Sequence, residues 1–361
     1  MLRNVQALRA IAALLVVFDH LNGELAKSDP GAWTLFAPFV YFGQFGVDLF
    51  FVISGFIMVT TTWNLIGQPG ISRGFILRRL ARIYPPYWFV LLPVLIAYFA
   101  SAHVLMPSHE GRADVLASIF LFPTLHARVL DTSWTLTFEM FFYVVFAFVL
   151  QFKRSTLVPL LGMWFVFEVG AGIAWHGSSN VLLGFLSSPL PIEFILGALI
   201  GYQFRVGSLR GATACGILGC AIAICVWIAS SNPSVTAVLT NEDFFRVLQF
   251  GIPAALIVYA SVGLEVKFGA RVPSVAVQLG DASYATYLWH SPIVILIGFV
   301  AGRVHIRGFI GDTFVQLATI VVAISVSLTV YRFFERPVTN YLNRRIGGLM
   351  RVDTLASLAT R

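Results

Sequence analysis

The sequence predicts an all-α polytopic membrane protein with about ten transmembrane helices and with both termini in the cytoplasm. First, 58% of the 361 residues are apolar and only 11% are charged, whereas roughly a quarter of the residues are charged in a soluble domain. Second, apolar runs near the length of about 20 residues that crosses a bilayer follow one another with short polar breaks. Third, the basic residues are distributed unevenly between alternate breaks, as the positive-inside rule expects.

The apolar runs also indicate how the chain is divided. With the N-terminus inside, eighteen of the 24 lysines and arginines lie on or near the inner side and six lie outside. The formal charge of +7 is therefore a topology signal, and we expect no nucleic-acid partner. We expect one transmembrane domain over 1–340 and a short basic cytoplasmic tail over 341–361. The predicted spans are 5–22, 36–61, 84–106, 133–151, 157–175, 181–204, 211–230, 245–263, 280–301 and 313–334.

The first span carries two polar side chains, Arg9 and His20, eleven residues apart. A helix turns about 100° per residue, so both lie on one stripe, roughly 16 Å apart along the axis. A charge and an imidazole facing lipid are costly, so this stripe must face protein or a water-filled cavity. A neutral imidazole can take a proton from a hydroxyl or attack an activated acyl group, which makes His20 a catalytic candidate. The alternative is a buried histidine that bonds a helix carbonyl.

The second span combines small residues with one acid. Gly46 and the pair Ser54–Gly55 permit close helix approach, and Asp48 lies near the outer end of the span. Asp48 and Ser54 are candidates to line a cavity.

The inner loop that follows is the most basic part of the chain. Its arginines, termed the basic-loop arginines, are Arg73, Arg78, Arg79 and Arg82. We expect this stretch to lie as an interfacial helix, which Pro85-Pro86 ends before the third span. Arginine forks match phosphates, so the cluster is a candidate site for a cofactor such as coenzyme A. Topology anchoring and contact with membrane lipid headgroups are the alternative roles.

The longest outer loop, 107–132, leads into the fourth span. Its apolar stretch 115–122 is too short to cross a bilayer, and capping the outer mouth is one role for it. Ser133 and Trp134 begin the next span and are further candidates to line a cavity. Glu139 follows at a depth close to that of His20, where a carboxylate can orient the imidazole and stabilise its protonated form. A structural ion pair, or a carboxylate favoured by the helix dipole, is the alternative.

The remaining polar groups give weaker signals. His290, before Ser-Pro in the ninth span, either lines the cavity or packs beside a carbonyl that the proline frees. Glu335, at the end of the last span, is interpreted as structural. The three cysteines Cys215, Cys220 and Cys225 point about 140° apart in succession, so they cannot converge on a metal, and we expect them to be buried. No P-loop, dinucleotide, zinc or nucleophile-elbow motif occurs, and we expect no metal.

In their order and spacing, these segments resemble the acyltransferase 3 family of integral-membrane acyltransferases over most of the chain. The matching elements are Arg9 with His20 as an Arg-x10-His pattern, Phe50-Phe-Val-Ile-Ser-Gly-Phe, Arg78-Arg-Leu-Ala-Arg-Ile-Tyr-Pro-Pro-Tyr-Trp, Ser133-Trp-Thr-Leu-Thr-Phe-Glu and Tyr284-Ala-Thr-Tyr-Leu-Trp-His. The chain looks like the shorter, exopolysaccharide-acetylating type, without the soluble hydrolase-like domain of some members.

The resemblance implies a ten-helix protein of the bacterial inner (cytoplasmic) membrane. Such a protein takes an acyl group, usually acetyl, from cytoplasmic acyl-CoA and delivers it to a hydroxyl of an extracytoplasmic or membrane-linked glycan. By the resemblance, Arg9, His20, Arg78, Arg79 and Glu139 carry over as functional residues.

The mechanism expected from these residues has two parts. The basic-loop arginines and Arg9 hold the phosphates and pantetheine arm of the donor, acetyl-CoA. His20, supported by Glu139, deprotonates the sugar hydroxyl or transiently accepts the acyl group.

Two other classes of function fit part of the pattern. A transporter of a small anionic or sugar-like solute is the main alternative, because intramembrane ionisable residues also mark substrate paths. The sequence shows no repeated halves with interrupted helices, which disfavours this alternative. A non-catalytic scaffold for polysaccharide assembly is the third possibility.

Overall fold

The computed structural model describes residues 2–28, 41–105, 113–230, 243–304, 306 and 308–359. In this part of the chain the regular structure is helical, with no strand, and ten helices are long and apolar enough to cross a membrane. The predicted all-α fold with ten spans is confirmed. The first residues of the predicted second span, 36–61, and part of the predicted outer loop, 107–132, lie outside the described residues.

The helices are labelled in chain order. They are α1 (Arg3–Ser28), α2 (Phe45–Thr62), α3 (Ile71–Leu105), α4 (Val115–Phe120), α5 (Trp134–Val149), α6 (Leu157–Trp175), α7 (Val181–Leu186), α8 (Pro191–Val206), α9 (Ala212–Ser230), α10 (Asp243–Arg246), α11 (Ile252–Phe268), α12 (Ser274–Asp281), α13 (Ser283–Val304), α14 (Gly308–Val330) and α15 (Arg336–Ala359). Short 3-10 turns occur at Tyr41–Gln44, Asp131–Ser133 and Arg154–Thr156, and π-helical turns at Val247–Gly251 and Tyr331–Glu335.

The two ends of the bundle are distinguished by the course of the first two helices. The N-terminal face is the end at which α1 begins and α2 ends, and the opposite face is the end at which α1 ends and α2 begins. Between them, large apolar side chains remain exposed on the outside of the bundle, among them Leu92, Ile96 and Phe99 of α3 at 61%, 63% and 72%. Such side chains suit contact with the hydrocarbon core of a bilayer.

The core of the bundle includes a close contact between α2 and α8. A Cβ atom on Gly55 would overlap the carbonyl oxygen of Phe194, and one on Gly197 would overlap that of Val52. Glycine therefore lets the two backbones meet without side chains between them, as the sequence predicted for Gly55. Phe194 also stacks on Phe142 of α5, with ring centres 4.3 Å apart, so the same contact fixes α5.

Helix α3 corrects one prediction. It runs for 35 residues without a break and contains Pro85, Pro86 and Pro93, so the prediction that the proline pair ends an interfacial helix is wrong. The pair removes two helix hydrogen bonds. The adjacent side chains of Ile83 and Tyr87 are almost completely buried, at 1% and 0% exposure. Because both pack into the core, they hold the two halves of the helix in line.

The cysteines of α9 correct a second prediction. Cys220 and Cys225 are exposed and Cys215 is half-buried, so the expectation that all three are buried is wrong. Only Gly219 and Ala223 of this helix are buried, because α9 packs along one narrow side and presents its remaining side chains outward.

The last two helices form one continuous stretch. The π-helical turn at Tyr331–Glu335 joins α14 to α15 without a break, and α15 continues to Ala359. The predicted boundary between domain and tail, at 340, therefore lies inside a helix.

Candidate active site

A cavity of about 70 Å³ lies inside the bundle, between α1, α2, α3, α5 and α13. This space is termed the central cavity, and each of the five helices contributes at least one polar group to it. The polar lining residues are Arg9, Ser54, Arg79, Arg82, Thr135, Glu139, Tyr143, Ser283, Tyr284 and Tyr287.

A second space of about 420 Å³ lies at the N-terminal face, where α2 ends and α3 begins. It is termed the vestibule. Arg79 and Arg82 line both spaces, so the vestibule and the central cavity adjoin at these two guanidinium groups. The polar lining residues of the vestibule are Thr61, Thr62, Gln68, Arg78, Arg79, Arg82, Thr339 and Asn343.

Three of the four basic-loop arginines thus meet at one place. Arg78 and Arg82 share a side of α3 because residues four apart lie one above the other on a helix. Arg78 is exposed and lines the vestibule. Arg73 is also exposed, but it does not belong to the lining of either space.

Arg79 is held between aromatic rings. The carbon of its guanidinium group lies 5.3 Å from the ring centre of Phe75 and 5.5 Å from that of Tyr143, within the range of cation–π contact. One terminal nitrogen lies 3.5 Å from Thr61 Oγ1. The Nε atom is buried and has no hydrogen-bond acceptor among the described residues. An N–H group of a cation in this state suits an oxygen of a bound ligand.

Arg9 faces the central cavity from α1 and is only 7% exposed. Its Nη1 donates a hydrogen bond to Gln6 Oε1 at 3.0 Å, and Gln6 Nε2 donates in turn to Asp281 at the end of α12. The charge of Arg9 also interacts with those of Arg82 and Glu139. Gln6 and Asp281 therefore hold this guanidinium group in one orientation, in which its charge faces the cavity.

Glu139 points into the central cavity from α5. Its Oε1 accepts hydrogen bonds from the hydroxyl of Tyr143 and from Ser54 Oγ at 3.3 Å. Its charge interacts with those of Arg79 and Arg82. Glu139 therefore belongs to the part of the site that the arginines surround.

His20 lies farther along α1, beside His290 of α13. The two ring centres are 4.9 Å apart and the rings meet edge to face at 72°. The Nδ1 of His20 lies 3.0 Å from the carbonyl oxygen of Val16, and the Nδ1 of His290 lies 3.2 Å from that of Thr286. A carbonyl oxygen only accepts, so in the neutral form of each imidazole Nδ1 carries the proton and Nε2 has the free electron pair.

The histidine pair is connected to the central cavity through Tyr287. The ring centre of His290 lies 5.7 Å from that of Tyr287, whose hydroxyl lies 2.6 Å from Thr135 Oγ1. Tyr287 and Thr135 line the central cavity. His290 is completely buried and His20 is half-buried, so the pair stands one side chain behind the cavity wall.

The structure gives the two predicted catalytic residues different neighbours. Glu139 bonds to Ser54 and Tyr143, whereas His20 contacts His290, and no hydrogen bond joins Glu139 to His20 across the described ranges. Arg9 and His20, in contrast, both point towards α13, as their eleven-residue spacing predicts.

The other predicted cavity residues are divided between several surroundings. Ser54 lines the central cavity. Asp48 is completely buried and accepts hydrogen bonds from Arg246 Nε at 3.2 Å and Nη2 at 3.0 Å. Ser133 is completely buried at the start of α5, Trp134 is half-buried, and neither belongs to the cavity lining. Within the described residues, no cluster of three or more His, Cys, Asp or Glu side chains suits a metal ion.

Sequence reasoning missed one acid next to the arginines. Glu335 is 7% exposed, and its charge interacts with those of Arg82 and Arg9. It lies in a π-helical turn, a feature that often marks functional sites. The available signal was an acidic residue at the end of an apolar span, which by itself suggests a functional role.

Comparison with known proteins gives a match along nearly the whole chain. A family model described as an acyltransferase domain matches residues 2–332. The exopolysaccharide production protein ExoZ of Rhizobium meliloti is 31% identical over 308 residues, which cover 82% of this chain and 89% of ExoZ.

Two further relatives are more distant. Acyltransferase MdmB of Streptomyces mycarofaciens is 25% identical over 383 residues, covering 95% of this chain and 93% of MdmB. O-acetyltransferase OatA of Staphylococcus aureus is 23% identical over 373 residues, covering 93% of this chain but only 57% of OatA. No solved structure matches the chain.

Proposed function

The chain belongs to the acyltransferase 3 family, and we propose that it transfers an acyl group, in the simplest case acetyl, from cytoplasmic acyl-CoA to a hydroxyl of an extracytoplasmic or membrane-linked polysaccharide. Membership in the family makes the chain an acyltransferase, which removes the transporter and scaffold alternatives. The names of two relatives, an exopolysaccharide production protein and an O-acetyltransferase, support a glycan acceptor and an acetyl group.

The observation that carries the proposal is the continuous line of cationic groups from the vestibule into the membrane interior. Arg78 lies in the vestibule, Arg79 and Arg82 lie at the junction, and Arg9 lies inside the central cavity. Coenzyme A has its phosphates at one end and its thioester at the end of a flexible pantetheine arm. Guanidinium groups bind phosphates, so this order of charges suits a donor whose phosphates stay in the vestibule while its thioester enters the cavity.

The acceptor hydroxyl loses its proton to His20 in this proposal. As the hydroxyl oxygen bonds to the thioester carbonyl carbon, the proton passes to His20 Nε2. The carbon–sulfur bond then breaks, and His20 returns the proton to the leaving thiolate. The hydrogen bond from Nδ1 to Val16 supports this role, because it keeps the free electron pair on Nε2. His20 does not line the central cavity, and the ring of its neighbour His290 packs against Tyr287. A general base must lie within hydrogen-bond reach of the hydroxyl, so in this proposal the thioester passes Tyr287 and reacts on the His20 side of that ring.

Glu139 serves the donor side of the reaction in this proposal. Its carboxylate balances the charge of Arg79 and Arg82 and is itself held by Tyr143 and Ser54. A carboxylate among arginines keeps their guanidinium groups in place before the donor phosphates arrive. No hydrogen bond joins Glu139 and His20 in the described part of the chain, so any effect of Glu139 on His20 is transmitted by the substrates bound in the cavity.

Transfer of label from acetyl-CoA tests the proposal. The purified protein in lipid nanodiscs is incubated with radiolabelled acetyl-CoA and the surface polysaccharide of its host. We expect label on the polysaccharide, and a loss of about 10²–10⁴-fold for His20→Ala, the usual value of general base catalysis. His176→Ala is the matched control, because this histidine lies at the end of α6, outside the lining of both spaces. Undiminished transfer by His20→Ala would remove His20 from the chemistry.

A further inference from the structure

We propose that residues 113–133 form a re-entrant segment, which enters the bilayer from the opposite face, turns near mid-membrane and contacts lipid acyl chains with its exposed apolar side chains. The inference rests on the position of α4 along α3, on the donors that its carbonyl groups find, and on the side chains that it leaves exposed. It does not depend on the proposed chemistry.

The position of α4 along α3 shows how deep in the bilayer the end of α4 lies. Trp88 Nε1 donates to the carbonyl oxygen of Ile119 at 3.0 Å, and the hydroxyl of Tyr84 donates to that of Phe120 at 2.9 Å. The part of α3 that is long and apolar enough to cross a membrane is Ile71–Ala100, about 45 Å at 1.5 Å per residue. The two donors therefore lie at least twelve residues, about 18 Å along the axis, from either end of this span. A hydrocarbon core is about 30 Å thick, so the end of α4 lies well inside it.

The segment begins much closer to the opposite face. The backbone N–H of Ala113 donates to the hydroxyl of Tyr98 at 3.0 Å, and Tyr98 is two residues from the end of the α3 span. Between this anchor and Tyr84 lie fourteen residues of α3, about 21 Å at 1.5 Å per residue. The chain then returns beside itself, since the N–H of Val129 donates to Ser118 Oγ at 3.0 Å. The segment thus descends along α3 and comes back.

The backbone at the end of α4 is satisfied by protein groups. Besides the two carbonyls already described, that of Ser118 accepts from the hydroxyl of Tyr87 at 2.5 Å, and that of Phe122 accepts from Arg128 Nη2 at 2.8 Å. The last carbonyls of a helix in water are commonly hydrated. Inside a bilayer no water is available, and every such group needs an internal partner. Four side-chain donors around one short helix meet this requirement.

The outward side of α4 and the turn after it is apolar. Leu116, Phe120, Phe122 and Leu125 are between 46% and 66% exposed, and the exposed polar residues of the segment, His126 and Asp131, lie in its returning part. The end of α4 lies next to Trp88 of α3, which is itself 46% exposed on a helix that crosses the membrane. The same hydrocarbon that surrounds α3 at this depth therefore covers the segment, and acyl chains are its partner.

Depth-dependent fluorescence quenching tests the inference. Cys215, Cys220 and Cys225 are replaced by alanine, Phe122→Cys is labelled with an environment-sensitive fluorophore, and the full chain is placed in liposomes. One sample contains lipids brominated in mid-chain, and another receives iodide in the water. We expect the label to lose as much fluorescence to the brominated lipids as a label at Leu92→Cys, and to resist iodide.

Two reference sites make the result decisive. Leu92 lies on the lipid-facing side of α3 at 61% exposure, whereas Asn64 is exposed in the turn before α3, where iodide should reach a label. A second label at Phe120→Cys, at the end of α4 that Tyr84 holds, guards against a local disturbance at Phe122. If labels at both residues of the segment lose fluorescence to iodide as Asn64→Cys does, and not to brominated lipids, the segment is a water-exposed loop and the inference is wrong.

Discussion

Arg79 stands where the vestibule meets the central cavity, with its guanidinium group between the rings of Phe75 and Tyr143. Three properties of this side chain are used at once: its charge, its planar shape and its row of N–H donors. Lysine reproduces only the charge. A lysine variant therefore separates simple attraction for an anion from recognition of a phosphate group.

Arg79→Lys should raise the KM for acyl-CoA by about tenfold or more, since a hydrogen bond to a charged group contributes about 1.5–3 kcal/mol. The kcat should change less, because in the proposed mechanism Arg79 binds the phosphates and does not touch the reacting carbonyl. Steady-state kinetics with varied acyl-CoA measures both constants. Arg73→Lys is the matched control, since this arginine does not line either space. Equal KM values for the two variants would contradict the assignment of Arg79 to the donor.

His290 should matter for the rate of transfer rather than for donor binding. Its ring packs against His20 and limits the orientations of that imidazole. His290→Gln should therefore lower kcat by up to about 100-fold, the cost of a small misplacement of a catalytic group, and should leave the KM for acyl-CoA unchanged. The same kinetic assay measures the two constants. A variant with normal kcat would show that His20 needs no support from its neighbour.

At this scale the sequence predicts part of the site. The spacing of Arg9 and His20 correctly indicates that both face one side, because the turn per residue of a helix is fixed. The association of Glu139 with Ser54 and the arginines is not predictable in this way. It depends on which helices become neighbours, and α5, α2 and α3 meet through contacts between distant parts of the chain.

Among the elements, α2 and α8 depend most visibly on glycine. Gly197→Ala should destabilise the bundle by about 1–3 kcal/mol, the usual cost of forcing an extra carbon into a packed core, because the new Cβ would overlap the carbonyl of Val52. Thermal unfolding in detergent measures the change. Gly162→Ala in α6 is the control, since nothing lies within 4 Å of its Cβ, and there alanine should be neutral or slightly stabilising. Equal effects of the two variants would mean that the α2–α8 contact tolerates extra volume.

Asp114 caps the start of α4 at the opposite face, beside the Tyr98 anchor and before the segment enters the hydrocarbon, and it gives the segment a dependence on pH. Its carboxylate accepts hydrogen bonds from the N–H of Ala117 and the hydroxyl of Thr124. The first of these, the backbone N–H, is the main reason that the pKa of Asp114 is lowered in the folded protein. A lowered pKa means that the carboxylate stabilises the fold above its unfolded pKa of about 4 and loses this effect as the pH falls through the folded value.

Asp114→Ala should therefore be less stable than the wild type at pH 7, and the difference should persist down to about pH 5 and shrink below about pH 4. Thermal unfolding of both proteins across this range measures the difference. Asp131→Ala serves as the comparison, because this acid lies at the other end of the same segment, before α5. A difference that grows on acidification would contradict the assigned cap.

Helix α3 shows why element boundaries resist local reasoning. Two consecutive prolines ordinarily end a helix, and the sequence offers no reason to expect otherwise. The helix continues because Ile83 and Tyr87 are buried against other helices, a contact that forms only in the assembled bundle. The apolar runs, in contrast, predict the spans well, because the thickness of the bilayer fixes their length.

For the whole molecule, the ten candidate spans of the described residues are an even number, so we expect the start of α1 and the last helix on the same side of the membrane. The distribution of lysine and arginine predicts that this side is the cytoplasm, from which the proposed donor, acyl-CoA, would reach the vestibule. A fluorescent protein fused after residue 361 should therefore glow, and an alkaline phosphatase fused there should stay inactive. The reverse result would place the vestibule outside the cell and would contradict the proposed source of the donor.

One consequence of the unbroken third helix concerns the coupling between the vestibule and the re-entrant segment. Arg82, which meets the donor in the proposed mechanism, and Tyr84, which holds the end of α4, are two residues apart on it, about 3 Å along the axis. Because no break in the helix separates them, any shift of α3 on binding of the donor would carry the anchor of α4 with it. Addition of acyl-CoA should then change the fluorescence of a label at Phe122→Cys.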